Sequence, residues 1–265
     1  MKILFVGDVV SKVGRQALRE VLPSLKTEEN IDFIIVNGEN VTHGKGLIKK
    51  HYDELISLGA NAITLGNHYN SKREISDFID SADKLIRPIN ILNEDFGGEG
   101  SRVFLVNNKK IRVTNLLLTA FMTEEVKNPF LTINELLEND DSDVHILDMH
   151  GEATGEKESF SYTFDGKITA ILGTHTHVQT NDERILPNGT AYISDVGFCG
   201  SSIGVLGFEK SSVINKTMFG SKEKFTLEES GDYIFNGVII DIDDETNKVK
   251  SIKKIRIDTY EKNRN

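Results

Sequence analysis

A single cysteine, Cys199, stands in 265 residues. A lone thiol excludes an intramolecular disulfide and any multi-cysteine metal site. It reads as a small semi-apolar residue in a loop. Positive charge is also scarce: 31 Lys and Arg face 41 Asp and Glu, for a formal net charge of -10. Such an acidic surface argues against tight binding to duplex backbones, which needs many Lys and Arg contacts. A nucleotide or an RNA end stays open, because bound cations invert local charge. Long apolar runs are missing. No stretch approaches a membrane span, and the run after Met1-Lys2 is too short for the apolar part of a secretory signal. These absences lead to the expectation of a cytoplasmic protein with no membrane partner. There is no internal repeat, low-complexity tract or clear linker, and the 262–265 tail reads as frayed. With 38% hydrophobic and 27% charged residues, the chain reads as one globular domain, 1–265, in which 86–121 is a β-hairpin insertion or subdomain.

What the chain does have is five short apolar runs, each followed by side chains that bind metals. Ile3-Leu4-Phe5-Val6 is followed by Gly7-Asp8, and Phe33-Ile34-Ile35-Val36 by Asn37-Gly38-Glu39-Asn40. Ala62-Ile63-Thr64-Leu65 precedes Gly66-Asn67-His68. Val144-His145-Ile146-Leu147 precedes Asp148-Met149-His150, and Ala170-Ile171-Leu172 precedes Gly173-Thr174-His175-Thr176-His177. Runs of this length and β-branched content read as buried strands. Helical spacing follows the first (Ala17, Leu18, Val21, Leu22, Leu25), the second (Ile48, Tyr52, Leu55, Ile56) and the third (Ile75, Phe78, Ile79). Pro23 is expected to kink or end the first helix, and Ser71 to cap the third. Strand–helix alternation predicts a largely parallel sheet. Hairpins are expected at 102–106 with 111–116 and at 233–241 with 248–252. The architecture expected is a two-sheet α/β sandwich with the ligand loops at the C-terminal edge of the strands, where open α/β sheets place their sites.

His175 and His177 carry the strongest local signal. Two residues apart on an extended segment, they point to one side and can bind one cation or two neighbours. Alone, Asp8 is equally a helix cap, and Asn37-Gly38-Glu39-Asn40 equally a turn. Gly7 beside Asp8 would let the backbone approach a ligand. Asn67 adds an amide oxygen, and His68 and His150 add imidazoles. His145 sits inside a strand and reads as core, and His43 and His51, at a helix start, stay outside the metal set. The strength of the pattern is joint, and it points to a metal-dependent hydrolase. A mixed oxygen–nitrogen set with several imidazoles suits iron, manganese or zinc better than calcium. Two metals about 3.5–4 Å apart are the usual means of phosphoester hydrolysis. The loop Thr42-His43-Gly44-Lys45-Gly46 offers backbone N–H groups to a phosphate, or is a flexible surface loop. The Gly-rich stretch 197–207 forms a substrate wall or an irregular loop.

Gly7-Asp8, Gly38-Glu39-Asn40, Gly66-Asn67-His68, His150 and Gly173-Thr174-His175-Thr176-His177 together resemble the signature of the calcineurin-like metallophosphoesterases, and more narrowly its YmdB-type branch. Further resemblance lies in Glu152-Ala153-Thr154-Gly155-Glu156-Lys157, Asp182-Glu183-Arg184-Ile185-Leu186-Pro187 and Ala191-Tyr192-Ile193-Ser194-Asp195-Val196-Gly197. The wider superfamily usually carries Asp-x-His first, where this chain has Val10, and Gly-Asp second, where it has Gly38-Glu39. The narrower branch shows both changes. Tyr69-Asn70 differs from the Thr-Trp more common there. The resemblance implies two divalent or trivalent ions, iron or manganese, with zinc as an alternative. Asp8, Glu39, Asn40 and His177 would hold one, and Glu39, Asn67, His150 and His175 the other, with Glu39 as the bridge. It implies a phosphodiesterase in which a metal-bridging hydroxide opens a 2′,3′-cyclic nucleotide to a 3′-nucleotide. His68, beside a ligand, is the candidate to protonate the departing ribose oxygen. The resemblance also implies a homo-oligomer. Two other readings are a regulatory metal protein that binds an RNA-processing partner or a nucleotide, and a phosphomonoesterase or 5′-nucleotidase.

Overall fold

The apolar runs become strands buried on both faces, which is why they read as continuous rather than alternating. The structure, a computed structural model, describes residues 1–263. Along the chain it begins with β1 (Lys2–Val6), β2 (Asp8–Val9), α1 (Ser11–Glu29), β3 (Phe33–Asn37), α2 (Lys49–Ser57) and β4 (Ala62–Thr64). Then come α3 (Ile75–Phe78), β5 (Leu85–Ile86), β6 (Ser101–Val106), β7 (Lys109–Leu117), α4 (Pro129–Leu137), β8 (Val144–His150) and α5 (Thr154–Thr163). The remainder is β9 (Ala170–Thr174), β10 (Arg184–Ile185), β11 (Ala191–Ile193), β12 (Phe198–Ser201), α6 (Lys210–Phe219), β13 (Tyr233–Ile242), β14 (Val249–Asp258) and α7 (Thr259–Lys262). Of the 262–265 tail, Lys262 closes α7, and Arg264 and Asn265 lie outside the described residues.

Two sheets result. The first has eight strands in the order β2-β12-β13-β1-β3-β4-β5, with β14 paired to β13. Its β1, β3, β4 and β5 run parallel, and β13 is antiparallel to β1. The second has the order β10-β11-β9-β8-β7-β6, and β7, β8, β9 and β11 run parallel. The β6–β7 hairpin is thus the edge of this sheet, turned by Asn107 and Asn108 at φ 50° and 64°.

Alternate residues of each strand serve different layers. Ile3, Phe5, Phe33 and Ile35 meet Ile111, Val113, Ile146 and Leu172 between the sheets. Leu4, Val6, Ile34 and Val36 face outward onto Ala17, Leu18 and Val21 of α1. On the far side, Leu147, Met149 and Ile171 pack on Phe160 and Phe164, the latter just past α5. This is the expected two-sheet α/β sandwich.

Several local expectations fail for physical reasons. Pro23 does not end α1, which continues to Glu29. Its ring lies on the exposed face, so the carbonyl it leaves unpaired can reach water. Ser71 caps nothing. The third helix is one α-turn from Ile75 followed by a 3-10 turn, and no side chain caps its start. Cys199 is not in a loop but buried in β12, where its thiol donates to the Asn236 carbonyl at 3.4 Å.

Candidate metal centre

The C-terminal ends of β3, β4, β8 and β9 and the start of β2 deliver all seven candidate ligands to one place. Gly66 makes the convergence possible: a Cβ there would lie 2.3 Å from Glu39 Oε2 and 2.6 Å from His150 Nε2. Gly7 serves a different purpose from the one expected. A Cβ on it would strike the Gly197 carbonyl at 2.0 Å, so its space is taken by backbone rather than ligand. Asp8 starts β2, pairs with Phe198, and accepts the His175 backbone N–H at 3.2 Å.

His150 Nε2 is the hub. It lies 3.0 Å from Asn67 Oδ1, 3.0 Å from His175 Nδ1 and 3.4 Å from Glu39 Oε2. Donors sharing one ion at about 2.0–2.1 Å are themselves about 2.9–3.4 Å apart. Glu39, His150 and His175 form a group whose ligand atoms all fall within 4.8 Å of one another. On the other side of Glu39, the Asn40 amide donates to Glu39 Oε1 at 2.8 Å and lies 3.1 Å from His177 Nε2. Turning that amide over presents its oxygen to the same space.

The hydrogen bonds behind the imidazoles set their tautomers. Thr174 Oγ1 donates to Asp148 Oδ1 at 2.6 Å, so its lone pairs are left to accept from His150 Nδ1 at 2.9 Å. His150 Nε2 is therefore the lone-pair nitrogen. His175 Nε2 faces Glu152 Oε2 at 3.4 Å, which directs its Nδ1 lone pair inward. Two unprotonated nitrogens 3.0 Å apart repel each other unless a cation lies against both. Outer partners of this kind orient metal-binding imidazoles. The Leu206 carbonyl similarly hydrogen-bonds the ring of His177.

Electrostatics point the same way. Burial, then the charges of Glu39, Asp195 and Asp148, push the Asp8 carboxyl well above its ordinary range. Its Oδ1 is buried without a hydrogen-bond partner among the described residues. Burial pushes Glu39 up to about 8 and Asp148 up to about 6. It also lowers His150 well below its usual value and His177 to about 4. Neutral imidazoles and carboxylates short of countercharge are what a cation site requires. The residues present fit metal ions.

His175 and His177 do not lie on an extended segment as expected. Their φ angles are 104° and 64°, a left-handed turn that brings both rings to the cluster. For non-glycine residues such conformations cost on the order of 1–3 kcal/mol each. The strap over this turn went unread in the sequence. Asp195 accepts the N–H groups of Thr176 at 2.9 Å and Gly197 at 2.8 Å and pairs with Lys157 at 3.2 Å, both side chains 1% exposed. Lys157 also donates to the Thr174 carbonyl at 2.9 Å. Lys157→Met leaves Asp195 buried and unpaired, and is expected to cost about 3–5 kcal/mol of unfolding free energy in urea titration. A loss under about 1 kcal/mol would contradict the strap.

Other site residues were also missed. Glu124 accepts from the Asn67 amide at 3.1 Å, and Asn37 donates to Asp148 Oδ2 at 2.9 Å. A carboxylate beside an apolar run was the available signal for Asp148, and for Glu152 its place at the head of the 152–157 stretch; Glu124 sits in a loop and gave none. His145 is buried and bound to Thr114 and Asp140, each at 2.8 Å, at the other end of β8. A cavity of about 830 Å³ opens beside it, remote from the cluster. His51 is tied to Thr42 Oγ1 at 2.8 Å, and His43 is exposed; neither reaches the cluster. In the 42–46 loop, Thr42, Lys45 and Gly46 spend their N–H groups on the loop itself and on the Glu39 carbonyl.

A second cavity, about 330 Å³, stands over the cluster. Glu39, Asn40, His68, His175 and His177 line its floor. His68 donates its backbone N–H to Glu39 Oε2 at 3.1 Å, and burial lowers its ring to about 4 while Glu124 acts in the opposite direction. Tyr69 turns aside to pack on Phe96, ring centroids 4.9 Å apart.

Known proteins resemble this chain in sequence and in fold. A 2′,3′-cyclic-nucleotide 2′-phosphodiesterase of Bacillus subtilis is 44% identical over 259 residues, 97% of each chain. A crystal structure described as a novel phosphatase, from Mycoplasma pneumoniae, is 42% identical with a TM-score of 0.91, covering 97% of this chain and 93% of that one. A calcineurin-like phosphoesterase of Bacillus subtilis shares only the fold: TM-score 0.55, 12% identity, 98% of this chain and 91% of that one. The model of the YmdB-like protein family matches residues 4–255, and the chain belongs to that family.

Proposed function

We propose that this YmdB-like protein is a dinuclear-metal phosphodiesterase that hydrolyses cyclic phosphodiesters, 2′,3′-cyclic nucleotides to 3′-nucleotides. One observation carries the reading: candidate ligands from four separate chain segments face one another at coordination spacing around Glu39. Asp8, Glu39, Asn40 and His177 would hold one ion, and Glu39, Asn67, His150 and His175 the other. Iron or manganese suits the set, and zinc is the alternative. When bound, the ions supply charge neutralisation at the phosphoryl group and an ionised water at neutral pH.

The chain's own residues do the rest. Glu39, joined to both halves of the cluster, fixes their spacing. Asp148 through Thr174, Glu152, and the Leu206 carbonyl hold the imidazoles in the required tautomers. His68, on the cavity floor, would give a proton to the departing ribose oxygen. Burial and the Lys45 charge hold its ring down at about 4, Glu124 acts in the opposite direction, and an anionic substrate would add to the effect of Glu124. The cavity of about 330 Å³ is near the low end for small-ligand sites, which suits one nucleotide rather than an RNA strand.

Purified protein with Mn²⁺ is expected to release p-nitrophenol from bis-p-nitrophenyl phosphate, and excess chelator to stop it. A nucleoside 2′,3′-cyclic phosphate is expected to turn over faster than a nucleoside 5′-monophosphate. The reverse preference would favour a 5′-nucleotidase, and hydrolysis indifferent to chelation would remove the metal from the account.

A further inference from the structure

The wall of the cavity over the metal cluster is apolar and comes from a part of the chain that supplies no candidate metal ligand. Between β12 and β13 the chain makes an excursion. Val205 and Phe208 exchange backbone hydrogen bonds at 2.7 and 3.0 Å around Leu206 and Gly207, at φ 51° and 91°. This is a two-residue hairpin turn of the kind glycine and asparagine favour. A leucine in the left-handed region is strained, yet it stands here 41% exposed at the cavity. The hairpin is pinned from behind, with Glu209 N–H on the Thr226 carbonyl at 2.8 Å and Glu228 N–H on the Gly207 carbonyl at 3.1 Å. Phe208 and Phe225 meet with ring centroids 5.4 Å apart. With Val205, Leu206 and Val213 they form one wall; Gly44 and Lys45 face the cavity from the other loop.

Resting on the reading of the site as a cyclic-nucleotide phosphodiesterase, we infer that this wall, formed by Leu206, Phe208 and Phe225, is the subsite for the nucleobase. It is continuous with the metal cluster on the cavity floor, so a phosphoryl group on the ions leaves its nucleoside against these side chains. The wall offers flat and branched apolar surface, which every base can meet with its ring face. Apart from Lys45, no wall side chain has a hydrogen-bonding group with which to read a base edge. The subsite therefore discriminates nucleotides from base-free diesters and tolerates all four bases. Stacking of this kind is sequence-tolerant and is typically worth a loss of about 5- to 150-fold on alanine substitution, or 1–3 kcal/mol per base.

The test uses two substrates: adenosine 2′,3′-cyclic phosphate and glycerol 1,2-cyclic phosphate, which has no base. In Phe225→Ala and in Leu206→Gly, the ratio of kcat/KM for the first over the second is expected to fall about tenfold or more, chiefly through KM. The glycine variant keeps the carbonyl that bonds His177 and relieves the φ strain, so it tests the side chain with the hairpin intact. The four nucleoside cyclic phosphates are expected to differ by less than about tenfold in the wild type. An unaltered substrate ratio in both variants would overturn the base subsite while leaving the phosphodiesterase reading in place. A wild type that hydrolyses neither diester with Mn²⁺ would overturn that reading itself, and this one with it.

Discussion

Glu39→Gln is expected to lower kcat for a 2′,3′-cyclic nucleotide by about a thousandfold or more at saturating Mn²⁺. The change preserves shape and removes one charge, so the effect isolates electrostatics. Glu39 is 1% exposed, and its two oxygens address both halves of the cluster: Oε1 accepts from Asn40, and Oε2 lies 3.4 Å from His150 Nε2. A glutamine would turn an NH₂ group toward one set of donors and lose the countercharge for a second cation. Steady-state kinetics with metal analysis by mass spectrometry checks it. Turnover near that of the wild type would contradict two ions sharing this carboxylate.

The second large effect concerns His68. His68→Ala is expected to retain the metal content of the wild type and to lose about 10²–10⁴ in turnover of a cyclic nucleotide, the usual worth of a positioned general acid. The role can be separated from simple disruption by the leaving group. A ribose alkoxide needs a proton, whereas p-nitrophenolate leaves without one. The variant should therefore lose far less on bis-p-nitrophenyl phosphate than on the nucleotide. Equal losses on both, or a collapse in metal content, would remove His68 from the acid role.

Much of the fold was legible because each main strand is buried on both faces. Ile3-Leu4-Phe5-Val6 and Phe33-Ile34-Ile35-Val36 had to be apolar throughout, since one alternate set faces the second sheet and the other faces α1. Short strands such as β2, β5 and β12 escaped notice because pairing with neighbours, not their own composition, makes them strands. Pro23 misled because the rule against proline assumes a buried or bonded carbonyl, and this one faces solvent.

In the site, the residues at strand ends could be found because several chemistry-bearing side chains recur at the same structural position. What supports them could not. Thr174 and Asp148 act through a two-bond relay across adjacent strands, visible only once β8 and β9 are side by side. Lys157 and Asp195 are 38 residues apart and meet under a turn that no local pattern announces. The apolar wall around Leu206 gave no periodic signal, because a two-residue hairpin and an exposed helix, α6, have none to give.

Anomalous diffraction from crystals grown with Mn²⁺ tests the central claim most directly. Two peaks are expected, about 3.5–4 Å apart with Glu39 between them, one beside Asp8, Asn40 and His177, the other beside Asn67, His150 and His175. A single peak, or none near Glu39 under saturating metal, would contradict the account.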